Sequence, residues 1–222
     1  PRVQGLQPAA ASRRFPSYLA PAMTQLPELP LTLSRQEIRK MIRQRRRALT
    51  PEQQQEMGQQ AATRMMTYPP VVMAHTVAVF LSFDGELDTQ PLIEQLWRAG
   101  KRVYLPVLHP FSAGNLLFLN YHPQSELVMN RLKIHEPKLD VRDVLPLSRL
   151  DMLITPLVAF DEYGQRLGMG GGFYDRTLQN WQHYKTQPVG YAHDCQLVEK
   201  LPVEEWDIPL PAVVTPSKVW EW

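Results

Sequence analysis

Residues 152–176 read MLITPLVAFDEYGQRLGMGGGFYDR, and this stretch decides the fold. Its first nine residues are an apolar run with β-branched members, which predicts a buried central strand over 152–160. A Gly-rich loop follows at 164–172, with Gly168, Gly170, Gly171 and Gly172 inside five positions, and then a helix from Phe173 to about His183. In α/β sheets ligands sit beyond the carboxyl ends of the strands. Glycines there let backbone amides approach a phosphate with no Cβ in the way. A helix start adds unpaired N–H groups and a positive dipole end. Arg166 supplies a full charge and a planar fork for phosphate oxygens. Asp175 falls in the first helical turn, where a carboxylate beside bound phosphates is a natural Mg2+ ligand. The spacing is neither GxxxxGK(S/T) nor GxGxxG at a first βα turn, so the glycines alone also fit a flexible connection. Arg166, Asp175 and Arg176 within the same thirteen residues weigh against that bland alternative.

Outward from this loop the chain alternates strands and helices. Ser34-Arg35-Gln36-Glu37 is a capping box that opens a helix running to about Ala48, and Thr50-Pro51-Glu52-Gln53 opens a second helix to about Met66, stopped by Pro69-Pro70. Residues 77–83 (VAVFLSF), 102–108 and 116–121 are predicted strands, with a helix over 92–99 ended by Gly100. Residues 122–149 are proline-punctuated and read as loops, and 188–192 and 212–215 are late strands. The pattern predicts an α/β fold: one three-layer α/β/α domain with a mostly parallel sheet.

Composition agrees. The chain has 222 residues, 44% hydrophobic and 21% charged, which excludes a fibre, a coiled coil or a disordered tail. No apolar run reaches the roughly 18 residues of a membrane span. Residues 1–22 hold three arginines and no acid; removing them leaves 21 basic side chains against 22 acidic, so the body is not a basic nucleic-acid domain. Residues 1–30 are expected to be a disordered extension, upstream of a start at Met23 or Met41, and 31–222 the catalytic domain. The single cysteine, Cys195, fits a reducing compartment and hence a cytoplasmic protein.

Two further features bear on chemistry. Arg35, Arg39, Arg43 and Arg46 recur along one face of the first helix. Most such faces are solvated; the alternatives are an anion-binding surface closing over a nucleotide, or an RNA-binding helix. Glu86, in FDGELDT just past the first strand, can accept hydrogen bonds from an amino-substituted heterocycle, while Asp88 and Thr89 read as helix capping. His109, His122, His135, His183 and His193 lack metal-ligand spacing, and nothing places a base and an oxyanion hole around the Cys195 thiol, so a free buried cysteine is expected.

GQRLGMGGGFYDR resembles the signature of the 5-formyltetrahydrofolate (methenyltetrahydrofolate synthetase) cyclo-ligase family, supported by FLSFDGELDT, by IHEP at 134–137, and by LPVEEWDIPLPAVVTP. The resemblance spans about residues 34–216. It implies a scaffold similar to the sugar-phosphate isomerase/CoA-transferase type. It also implies ATP- and Mg2+-dependent cyclisation of 5-formyltetrahydrofolate to 5,10-methenyltetrahydrofolate, ADP and phosphate through a phosphorylated formyl group. By position it assigns ATP contacts to Arg35, Arg39, Arg166, Leu167, Gly168, Met169, Gly170, Gly171, Gly172, Phe173 and Tyr174. It assigns catalytic roles to Arg166 and Tyr174, and the magnesium carboxylate to Asp175. Leu81, Glu86, Phe118 and Tyr174 become folate contacts, with Trp97 a further wall candidate. Two departures stand out: Arg35 replaces a frequent lysine, and Phe173 replaces a tyrosine, removing a hydroxyl.

ATP and a reduced folate are thus the expected partners of a monomer, with no membrane or nucleic acid. The alternatives are a nucleotide- or RNA-binding regulator without turnover, and an ATP-dependent enzyme acting on another small molecule. A sugar-phosphate isomerase is disfavoured because no enolising base stands near the loop.

Overall fold

The computed structural model describes residues 33–222; the extension expected over residues 1–30 lies outside them. Both capping boxes form. Glu37 N donates to Ser34 Oγ at 3.1 Å and Ser34 N to Glu37 Oε1 at 3.3 Å, opening α1 (Arg35–Arg47). Thr50 and Gln53 repeat the exchange at 2.9 and 3.1 Å and open α2 (Pro51–Thr67). A short helix, α3 (Pro69–Met73), follows where the sequence predicts only a stop. The two prolines end α2 but occupy the first turn of α3, where a missing N–H costs nothing.

The chain continues through β1 (Thr76–Ala78), α4 (Gln90–Arg98), β2 (Arg102–Leu108) and β3 (Leu116–Tyr121). The segment read as loops carries β4 (Leu127–Met129) and β5 (His135–Pro137), which pair with each other, and β6 (Val144–Leu145). Then come β7 (Met152–Thr155), β8 (Ala159–Asp161), β9 (Arg166–Leu167), α5 (Phe173–Leu178), β10 (Gln187–Tyr191), β11 (Leu197–Val198), β12 (Ala212–Val214) and β13 (Val219–Glu221).

Eight strands form the main sheet in the order β13-β12-β10-β7-β1-β2-β3-β6. The run from β12 to β2 is parallel, while β13, β3 and β6 each pair antiparallel with their neighbours. Alternation sorts the two faces. Val77, Val79, Met152 and Ile154 point toward α2 and α4, meeting Ala61, Met65, Leu92 and Leu96. Ala78, Leu153 and Val213 point the other way, toward Phe160, Leu178 and Leu197. On that second face β8, β9 and β11 build a small three-stranded sheet, and α1 packs Ile38 and Ile42 onto its Val158, Ala159 and Leu167.

Three predicted elements change their limits. The run 152–160 is two strands, not one. Pro156 has no N–H to continue the ladder, so β7 ends at Thr155 and the chain re-enters as β8 in the small sheet. The run 77–83 stays in the sheet only through Ala78, with Val79 N still donating to Tyr104 O at 2.9 Å; the rest turns away. The helix beginning at Phe173 stops at Leu178, because Asn180 adopts φ 61°, in the left-handed region, before a short 3-10 turn (Trp181–His183).

Leu96 is fully buried between α4 and the sheet, so Leu96→Ala is expected to lower unfolding free energy by about 2–5 kcal/mol in a urea titration. Ser34→Ala, which removes one cap of α1, is expected to cost about 1 kcal/mol in the same titration.

Candidate active site

The ends of β1, β2 and β7 open into one cavity of about 520 Å³. The residues that leave the sheet early form its floor: Phe80, Leu81 and Phe83 beyond β1, and Pro156 and Leu157 beyond β7. The first half of α1 and the glycine loop close one side. The β2–β3 ends and a strap of residues 130–136 close the other, with Leu105, Leu116, Leu132 and Ile134 as apolar wall.

The loop itself is shorter than predicted. Gly164 is the turn of the β8–β9 hairpin, and Arg166–Leu167 is strand, leaving residues 168–172 as the connection to α5. Gly170 at φ 109° and Gly172 at φ 70° require conformations that side chains rarely adopt. α5 has only six residues, so little of the positive potential comes from its dipole. It comes from arginines. Arg39 is buried and its Nε donates to Gly168 O at 2.7 Å, which places its guanidinium against Gly170. Arg166 is buried beneath the loop; its Nε donates to Pro156 O at 2.9 Å, its Nη1 lies 3.5 Å from Asp175 Oδ1, and its guanidinium carbon sits 5.6 Å from the Tyr174 ring centre. Arg176 braces the loop from outside, donating to Gly171 O at 2.5 Å and Gly114 O at 2.6 Å.

The face carrying Arg35, Arg39, Arg43 and Arg46 is therefore turned inward. Arg39 and Arg46 are buried, and a solvated basic face is excluded. Arg35 lines the cavity but is held by Asp207, with bonds of 2.6 and 3.1 Å. That carboxylate also accepts from Glu204 N at 2.8 Å.

Glu86 also lines the cavity. Its Oε1 accepts from Phe83 N at 2.9 Å. Burial pushes its carboxyl up to about 7, against the pull of Arg46. Tyr174 lies between Arg166 and Glu86, and burial pushes its hydroxyl far above the ordinary range, so it is a neutral donor. His193 is buried and its ring is pulled down to about 4, hence neutral at pH 7; burial raises the Cys195 thiol to about 11. Neither is poised as base or nucleophile, and Cys195 is the free buried cysteine the sequence predicts.

The cavity collects Arg35, Arg39, Leu81, Glu86, Arg166, Phe173, Tyr174, Asp175 and all four loop glycines with Met169. Three expected contacts fall outside it. Leu167 turns into the core under α1. Phe118 lies two residues further along β3 than the wall residue Leu116 and is buried in the core. Trp97 is on the far face of the sheet, its Nε1 donating to Tyr121 O at 2.9 Å. Conversely, the strap from Asn130 to Glu136, exposed Trp206 and Asp207 were not singled out. Their signal was a glycine-poor, irregular stretch with no periodicity, and the IHEP and EEWD segments entered only through resemblance.

Asp175 lines the cavity, whereas Asp207, outside the lining, has both oxygens engaged by Arg35 and Glu204 N; both carboxylates favour the charged forms of Arg35 and Arg166. Among the described residues no group of three or more His, Cys, Asp or Glu side chains could hold a metal alone. One or two carboxylates completed by phosphate oxygens suit Mg2+, and Asp175 fits as one such donor.

Residues 32–216 match the 5-formyltetrahydrofolate cyclo-ligase family. A 5-formyltetrahydrofolate cyclo-ligase of Haemophilus influenzae is 53% identical over 179 residues, covering 81% of this chain and 96% of that protein. The cyclo-ligase of Mycolicibacterium smegmatis is 30% identical, covering 83% and 95%. Among solved structures, the 5,10-methenyltetrahydrofolate synthetase of Aquifex aeolicus superposes with a TM-score of 0.73 at 28% identity, covering 85% of this chain and 93% of that one. With the family match spanning most of the chain and a relative 53% identical across nearly its whole length, the chain belongs to the 5-formyltetrahydrofolate cyclo-ligase family.

Proposed function

We propose that the chain uses ATP and Mg2+ to cyclise 5-formyltetrahydrofolate to 5,10-methenyltetrahydrofolate, releasing ADP and phosphate. The observation that carries this is the joining, in one cavity, of a glycine loop flanked by Arg39 and Arg166 with an apolar chamber ending in Glu86. The triphosphate lies along the amides of residues 168–172, and the pterin enters the chamber with its amino-substituted edge toward Glu86. The formyl oxygen attacks the γ-phosphorus and ADP leaves. N10 then attacks the activated formyl carbon and gives up its proton, and the C–O bond breaks to release phosphate. The formyl oxygen thus departs in phosphate. No protein nucleophile is needed; the work is positioning and charge neutralisation.

Arg166 and Arg39 face the transferring phosphoryl group, and neutral Tyr174 donates a hydrogen bond where the two ligands meet. Arg35, held by Asp207, supports the nucleotide end. Asp175 would hold Mg2+, which when bound offsets charge on the phosphates. The reading takes residues 31–222 as one catalytic unit, monomeric and cytoplasmic; no described helix is long and apolar enough to cross a membrane. The inward turn of the α1 arginines counts against an RNA-binding regulator, which would present them to solvent.

Arg166→Ala and Asp175→Ala are each expected to lower kcat by at least ~10²-fold, followed by the absorbance of the methenyl product and by ATP consumption. Near-normal turnover in both folded variants would remove the site assignment. A second prediction uses pH. The ionised fraction of Glu86 grows as pH passes about 7, and the carboxylate is the form that accepts from the pterin. At saturating ATP the KM for 5-formyltetrahydrofolate should fall between pH 6 and 8, and Glu86→Gln should raise that KM and flatten the profile.

A further inference from the structure

The turn that carries Glu86 is fastened by groups to which the proposed reaction gives no role. Asp84 and Gly85 take φ of 51° and 75°, so the 83–86 turn is sharply bent. It is pressed on α1: a Cβ at Gly85 would lie 3.3 Å from Arg46 Cβ. Gln54 Nε2 donates to Gly85 O at 3.2 Å and reaches Arg46 O at 3.5 Å. Asp84 draws three arginines from one helix. Its Oδ1 accepts from Arg47 Nη2 at 2.7 Å and Nε at 2.9 Å, while Oδ2 lies 3.8 Å from both Arg43 Nε and Arg46 Nη2.

Arg46 is the informative member. It is only 2% exposed, and its charge is felt at Glu86. Yet its ion pair within 4.0 Å, among the described residues, is with Asp84 and not with Glu86. The distinction has chemical weight. A carboxylate in direct contact with a buried guanidinium has its lone pairs occupied, and a ligand must compete for them. A carboxylate buried with no cation nearby takes up a proton and loses its acceptor strength. Glu86 sits between these limits: a cation close enough to favour the charged form, one oxygen bonded to Phe83 N, and no hydrogen bond to its other oxygen among the described residues. The remaining groups facing it are Asp84, whose like charge disfavours its ionised form, Tyr174 from α5 and neutral His193, which lies against the backbone of Gly85 and Glu86.

We propose that Asp84 is a positioning residue for the folate end of the cavity: it pins the 83–86 turn to α1 and occupies Arg46, so that Glu86 offers a free carboxylate oxygen to the ligand. This rests on Glu86 as the folate-contacting acid. It also gives the basic helix two tasks. Arg39 in its first half holds the glycine loop, and Arg43, Arg46 and Arg47 in its second half hold Asp84 and with it the turn that carries the folate acid.

Asp84→Asn tests this cleanly, since asparagine tolerates the left-handed backbone and removes only the charge. In the full-length enzyme we expect the KM for 5-formyltetrahydrofolate to rise about tenfold, the worth of one charged hydrogen bond, while the KM for ATP and kcat at saturation stay within about twofold. In a second arm, Arg46→Gln withdraws the cation that favours ionised Glu86, so the midpoint of its folate-KM profile should move above that of the parent, whereas Asp84→Asn should not move it upward. If Arg46→Gln does not fold, the partly exposed Asp84 site still decides the matter. Glu86→Gln is the control for the underlying reading: an unchanged folate KM there removes Glu86 as the folate acid. If Glu86→Gln does raise folate KM but Asp84→Asn leaves it unchanged, or raises the ATP and folate KM values equally, the positioning role of Asp84 is overturned.

Discussion

A guanidinium removed from water must find its partners inside the protein, and the course of the chain around Arg166 follows from that demand. Its Nε needs an acceptor, and Pro156 O is available because the same proline ends β7 and frees its carbonyl from the ladder. Its charge needs a carboxylate, and Asp175 supplies one from the first turn of α5. Its flat face needs something polarisable, and the Tyr174 ring lies over it. The strand break, the β8–β9 hairpin and the start of the short helix each supply one partner or position for this cation. The hairpin brings Arg166 back under the strand end. The helix cannot begin until the chain has cleared that cation, and five residues, four of them glycine, make the crossing.

The same demand explains α1. Its buried arginines meet protein acceptors: Gly168 O for Arg39 and Asp84 for Arg46, while Asp207 holds the partly exposed Arg35 and Asp84 also draws the more exposed Arg43 and Arg47. Isolated surface ion pairs contribute little, roughly 0–1 kcal/mol, and a helix docked only by them would fray. Docking rests instead on Ile38 and Ile42, both almost wholly buried against the small sheet. The apolar stripe sets the position of the helix, and the neighbouring charged stripe sets what that position does. Separation of the two jobs lets the arginines be chosen for ligands without loss of attachment.

Much of this was legible in the sequence because local rules wrote it. Both capping boxes and the limits of β2 and β3 depend on near neighbours, and these stand as predicted. The glycine loop, Arg39 and Glu86 stand out in the sequence for the same reason, since each lies in a short segment whose chemistry is dense, whereas Tyr174 is singled out only by the family resemblance. What stayed hidden was long-range. MLITPLVAF looks like one strand because hydrophobicity does not say which sheet a residue joins, and only Pro156 marked the change. Phe118 and Leu116 share a face of β3, and which of them reaches the cavity depends on depth, a tertiary quantity. Asp207 could not be paired with Arg35 across 172 positions, nor could the polar strap at 130–136 be seen to close the chamber. The inward turn of the α1 arginines was equally invisible, since a basic stripe reads alike whether water or protein faces it.

The composition of the two ends of the cavity has a chemical logic of its own. Under the proposed reaction the formyl oxygen is phosphorylated and its carbon activated, and water attacking that carbon would release phosphate, regenerate the starting folate and waste the ATP. Selectivity for N10 over water cannot come from a base, because the buried His193 is neutral and outside the cavity, and Glu86 is committed at its far end. It must come from exclusion. Leu81, Leu105, Leu116, Leu132 and Ile134 surround the chamber where that carbon would lie, and the strap that bears the last two is tied down through Glu136, whose Oε2 accepts from Leu108 N at 3.1 Å and Asn130 Nδ2 at 3.0 Å. Glu136 lines the cavity, but one of its carboxylate oxygens is spent on these two bonds, so it fastens the apolar strap to the end of β2.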